Sequence, residues 1–113
     1  MKNLFIPLAT AICFLLSFSA KAANPHDVRK LLDTNACVRC DLSFANLRGV
    51  NLRGADLRGV DFRGADLREA NLENANIGWA DLRGAKLDSS GIEDAISNDH
   101  TIGLEGAARA TSP

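Results

Sequence analysis

The chain has 113 residues, so one domain is expected. Its formal charge of −1, with 24% charged residues, demands no polyanionic partner. With three cysteines and two histidines, no four-ligand zinc site of useful spacing is on offer.

Residues 1–22 read as a signal peptide. Lys2 supplies the positive start, and Leu4 to Phe18 is a run broken only by Pro7, Thr10, Ser17 and small residues. Ala20 and Ala22 fit the small-x-small pattern of signal peptidase, which places cleavage between Ala22 and Ala23. The run is short for a spanning helix, which wants about 20 apolar residues. Cys13 follows Ile12 rather than a small residue, which argues against a lipoprotein cut. Without Lys2 and Lys21, eleven basic residues face fourteen acidic ones, a net charge of −3. The expected destination is periplasmic or secreted, an oxidising setting for Cys37 and Cys40.

Residues 23–39 form an N-terminal cap and junction. Asn24 suits an N-cap, Pro25 the first helical position, and Asp27 completes the cap. Val28, Leu31 and Leu32 share one side at helical spacing, which predicts a short helix from Pro25 to about Thr34 over whatever follows. Cys37-Val38-Arg39-Cys40 leaves three readings open: a structural disulfide, a free or metal-linked pair, and a redox site. A redox cysteine sits at a helix N-terminus, whereas here the helix comes first. Haem attachment needs His where Asp41 stands. A structural bridge at the junction fits this context best.

From Cys40 to Asp94 the chain repeats every five residues, eleven times. The large centres are Leu42, Leu47, Leu52, Leu57, Phe62, Leu67, Leu72, Ile77, Leu82, Leu87 and Ile92. A small residue, Ala or Val except at Cys40 and Ser90, stands two positions before each centre. Asp or Asn lies between them in nine units, and Arg-Gly follows the centre in five. Small–polar–large is a period-2 alternation, so it suits a three-residue strand with two side chains inward. Arg-Gly then supplies a turn. A helix would smear a period of five around its cylinder. Each unit is too small to bury its own face and must stack on another.

This A(D/N)LRG tandem resembles the pentapeptide-repeat proteins. The resemblance implies a right-handed quadrilateral parallel β-helix with four fives per coil, here under three coils. Leu42, Phe62 and Leu82 then form one interior ladder. Leu47, Leu67 and Leu87 form a second, Leu52, Leu72 and Ile92 a third, and Leu57 with Ile77 a fourth. A CxxC before the repeats also resembles some exported members of the family. The best-known members mimic DNA and inhibit topoisomerases, but this short, near-neutral body lacks the acidic rod that mimicry needs.

Residues 95–113 lose the pattern and are expected to be a partly ordered tail, with Ile96, Ile102 and Leu104 as contacts. An exposed last coil makes a homodimer through the C-terminal coil a live expectation. Arg48, Arg53, Arg58, Arg63, Arg68 and Arg83 fall on consecutive faces, so they form a girdle rather than a nucleic-acid stripe. Asp56, Asp61, Asp66 and Asp81 each stand two residues before one of them. Phe44 and Trp79 take the turn position usual for Gly. Phe44 is expected under the helix, and Trp79 is the candidate partner contact. His26 and His100 read as ordinary surface or cap residues. No nucleophile–base–orienter set or phosphate loop is visible. The expected role is a non-catalytic protein-binding or structural module with no cofactor or metal, an unknown protein partner, no nucleic acid and no membrane span after processing. The alternatives are an envelope redox or metal protein using Cys37 and Cys40, and a DNA-mimic inhibitor.

Overall fold

The computed structural model describes residues 22–105. Residues 1–21, expected as a leader, and residues 106–113 lie outside the described residues. Exposed Ala22 and half-buried Ala23 begin the described chain.

Helix α1 covers Pro25–Thr34. The Asn24 side chain caps it by accepting from the His26 N–H at 3.0 Å. At the other end Asn35 turns left-handed, and its N–H donates to the Leu31 carbonyl at 2.8 Å. Asp27 reaches out of the helix: its Oδ2 accepts from the Asp41 N–H at 2.9 Å. Leu31 is buried and Val28 half-buried, but Leu32 is exposed. The helix therefore presses a narrower stripe on the repeats than its three apolar residues suggest.

The repeats pair in parallel at a spacing of twenty residues. Ala36, Asp56, Asn76 and Ile96 stack on one face, and Asp41, Asp61 and Asp81 on the next. Asn46, Asp66 and Lys86 make a third face, and Asn51 with Asn71 a fourth. Each contact is an isolated bridge, so the three-residue strands expected from the alternation do not develop among the described residues. The corner explains this. The Ala45 N–H returns to the Leu42 carbonyl at 3.1 Å, and the same bond recurs at each regular unit. The backbone bends before a second ladder pair can form.

The Asp or Asn of each unit does two things. Its backbone bridges to the neighbouring coil, and its side chain accepts from the N–H two residues on, as Asp61 Oδ1 does from Arg63 at 3.0 Å. That is an Asx turn, which explains why the slot holds Asp or Asn rather than any polar residue.

The bridges extend beyond the expected 40–94 at both ends, from Ala36 to Ile102. They are also interrupted near the end. In the unit Ser90–Asp94 the Asp/Asn slot holds Gly91, whose φ of 68° is left-handed rather than extended. A 3-10 helix, Ile92–Asp94, replaces the regular corner. Register then returns, with the Ile77 N–H donating to Ile96 at 2.8 Å. Residues 95–104, expected as tail, thus extend the coil.

All the ladder centres from Leu42 to Leu82 are buried, and Ile92 joins the same core. Leu87 is the exception and is only half-buried. Among the described residues nothing pairs beyond Lys86 on its face, so one side of Leu87 lacks a covering layer there. Phe62 lies in the middle of its ladder at 0% exposure. Phe62→Ala is expected to cost about 3–5 kcal/mol in urea unfolding, with Leu87→Ala costing clearly less.

Candidate functional site

Cys37 and Cys40 form a disulfide across a corner turn. Arg39 between them has a φ of 59°, the corner conformation of the repeats. Cys37 thus takes a centre position and Cys40 a small one, one unit before the first Leu. Both sulfurs are buried. Cys37 Sγ lies 3.3 Å from the Asp27 carbonyl oxygen, so the bridge packs directly beneath α1. The Asp27 carboxylate also comes close: Asp27, Cys37 and Cys40 present ligand-type atoms within 4.8 Å of one another. Sequence reasoning missed Asp27 here, because only the docking of the helix brings it to the junction. Bonded to each other, the two sulfurs present no thiolate to an ion.

The arginines follow a simple rule. Where Asp precedes by two residues, the pair closes on itself. Arg58 Nε and Nη2 donate to Asp56 at 2.7 Å each, and Arg63, Arg68 and Arg83 do the same to Asp61, Asp66 and Asp81. Where Asn precedes, no carboxylate is at hand. Arg48 and Arg53 then reach Glu69 and Glu73 on the next coil, at 2.9 and 3.4 Å. These hydrogen bonds hold the carboxyls of Asp56, Asp66 and Asp81 below their ordinary range, and the paired Arg58, Arg68 and Arg83 titrate higher than usual.

Trp79 is 59% exposed at a corner with a φ of 60°. Its ring stacks on His100, with centroids 5.5 Å apart and planes 19° apart. Asn98 organises this end. Its Oδ1 accepts from the Trp79 and His100 N–H groups, both at 3.1 Å. Thr101 in turn donates its hydroxyl to the Ile77 carbonyl at 2.9 Å. At regular corners the N–H donates to a backbone carbonyl of the next coil, as Gly59 does to Gly78 at 2.8 Å. At Trp79 a side chain substitutes for that carbonyl, because the chain has left the five-residue pattern. The sequence carried no periodic signal for Asn98, Thr101 or the pairing of His100 with Trp79.

Phe44 does not pack under the helix. It is 59% exposed, and its ring lies across Gly64 on the neighbouring coil, where a Cβ would run into it. The corner position points away from the coil interior, which sends the ring sideways along the surface. One edge borders an apolar groove beside Val28 and Leu32.

A family model described as "Pentapeptide repeats" matches residues 37–74 and 51–88. Residues 37–88 are pentapeptide repeats of this family. The pentapeptide-repeat fold is a right-handed quadrilateral β-helix, and the twenty-residue bridge spacing is that of four fives per coil. A similar solved structure is a pentapeptide repeat protein (Rfr23) from the cyanobacterium Cyanothece 51142, at 34% identity and a TM-score of 0.57. The match covers 59% of this chain and 46% of that one, so the chain spans under half the length of this pentapeptide-repeat relative. A second is alr5209, a pentapeptide repeat protein from Nostoc Pcc 7120, at 22% identity and a TM-score of 0.29, covering 79% of this chain and 96% of that one. No curated protein matches the chain.

Reducing the Cys37–Cys40 bridge closes no long loop in reverse, so urea unfolding with and without a phosphine reductant should differ by less than about 3 kcal/mol. The depressed carboxyls bind fewer protons folded than unfolded, so their contribution is present above the ordinary Asp value and is lost progressively as pH falls from there through their lowered folded values. Thermal stability is expected to be level from neutral pH to about 5 and to decline below about 4. Asp66→Asn keeps the Asx turn but removes the charge, so its acid decline should be shallower while its stability at pH 7 changes little.

Proposed function

We propose that the protein is an exported, non-catalytic protein-binding or structural module built on under three coils of regular fives, with α1 as its N-terminal cap. The observation that carries this reading is Trp79: a large aromatic side chain held in a corner conformation that favours Gly, exposed, and braced by His100 and Asn98. Bulky residues in left-handed backbone persist where surrounding structure enforces them, and such sites cluster at functional surfaces. A pre-ordered aromatic ring is also the kind of side chain that anchors protein interfaces.

The rest of the surface supports a scaffold role. The repeated Asp and Asn side chains serve the turns, and the arginines from Arg48 to Arg83 are paired with neighbouring carboxylates. That pairing leaves little of the free positive stripe a nucleic acid would need. Among the described residues no helix is long and apolar enough to cross a membrane. The reading includes leader removal between Ala22 and Ala23, a periplasmic or secreted mature chain, no cofactor and no metal. The buried Cys37–Cys40 bridge acts in it as a staple between cap and coil rather than as a redox centre. A homodimer is a secondary reading, favoured by Ile96 and Ile102, which are 54% and 40% exposed on the last rungs.

Cell fractionation and partner capture test the proposal together. The mature protein is expected in the envelope or medium with its N-terminus at residue 23, capturing a protein partner that Trp79→Ala loses. Retention of the mature chain in the cytoplasm would revive the DNA-mimic alternative. Unchanged capture by Trp79→Ala would remove the tryptophan as the anchor.

A further inference from the structure

Arg39, Gly59 and Trp79 occupy the same corner position in successive coils. The Arg39 N–H donates to the Arg58 carbonyl and the Gly59 N–H to the Gly78 carbonyl, both at 2.8 Å, which aligns the three. The outer two carry bulky side chains on left-handed backbone, at φ values of 59° and 60°. The middle one carries none. The result is a notch of about 450 Å³ lined by Val38, Arg39, Arg58, Gly59 and Trp79.

The two cations in this notch differ. Arg58 is spent on Asp56, which takes both Nε and Nη2. Arg39 forms no ion pair among the described residues. Its stem runs beside Gly59, with Cγ 3.0 Å from where a Cβ would stand. One wall is therefore an uncommitted guanidinium, the opposite wall a braced indole, and the floor bare backbone. A guanidinium binds carboxylate in a two-bond fork, and bare glycine lets a foreign chain approach closely. Because Trp79 is already stacked on His100, little further ordering is lost when a ligand settles on it.

We propose that this notch binds a partner protein through an acidic side chain next to an apolar one. The carboxylate meets Arg39, and the apolar group lies over Gly59 against Trp79. This rests on the binding-module reading and names the chemistry of the partner segment.

Trp79 is the chain's single tryptophan, so its fluorescence reports on the notch directly. The probes are acetyl-Gly-Asp-Phe-Gly-amide and the same peptide with Asn or Lys in place of Asp. The acidic peptide should give a saturable change at an affinity about ten-fold above the Asn peptide. Arg39→Gln should bring the two to equal affinity. Gly59→Asn tolerates the left-handed backbone but fills the floor, and should abolish binding of both. Circular dichroism checks that each variant is folded; if Gly59→Asn is not, Arg39→Gln alone decides. Equal affinity for all three peptides in the wild-type protein, or no saturable change, overturns the proposal. Partner capture from an envelope fraction separates the failures. Capture with a silent titration ends this inference and leaves the binding-module reading, whereas a silent titration without capture ends both.

Discussion

Every five-residue unit depends on the unit twenty residues away. Within a unit the backbone makes one corner bond and then turns, as Val60 does back to Leu57 at 3.2 Å. Its remaining polar groups have no local partner. Asp61 shows the solution: its N–H donates to the Cys40 carbonyl and its own carbonyl accepts from the Leu42 N–H, both on the same neighbouring coil and at 2.9 Å each. A buried amide left unpaired would be costly, so the coil spacing is set as much by the backbone as by the leucines. The apolar interior then follows, because the same register places Leu42, Phe62 and Leu82 in one column.

That dependence makes the two ends the weak points of a short solenoid, and the chain treats them differently. At the N-terminus a helix lies over the first coil, held by buried Leu31, by the bond from the Asp41 N–H to Asp27, and by the disulfide beneath it. At the C-terminus the repeat is broken and rebuilt. Gly91 ends the regular ladder, Ile96 and Ile102 resume pairing, and Gly103 passes close against the backbone of Leu82 and Arg83 where a side chain would not fit. Solenoids need such irregular terminal units, since a regular one would leave an open edge.

The charged skin answers to a more local rule. Asp-x-Arg closes on itself within one unit, while Asn-x-Arg sends its guanidinium to a glutamate on the next coil. The exposed pairs contribute little to stability individually. They do keep most arginines occupied, and this is what distinguishes Arg39. The functional interest of the molecule thus gathers where the repeat grammar is broken: Arg39 and Trp79 at corners, and Asn98 and His100 beyond the last regular five.

The sequence by itself determined the repeat, the inward leucines, the cap residues of α1 and the proximity of the two cysteines. These are legible because each is periodic or local: a side chain's direction follows from its place in the five, and a helix start from the residues around it. It also exposed the Asp–Arg pairs, which lie two positions apart on one strand side. Only the tertiary structure decided the rest. Leu87 is only half-buried because no described residue pairs above its face, and Phe44 crosses Gly64 instead of meeting the helix. Asp27 reaches Cys37 and Cys40, and Asn98 braces Trp79, through contacts spanning many residues outside the five-residue period. Such meetings depend on how the two ends fold back on the coil, and a periodic pattern carries no information about the places where its period stops.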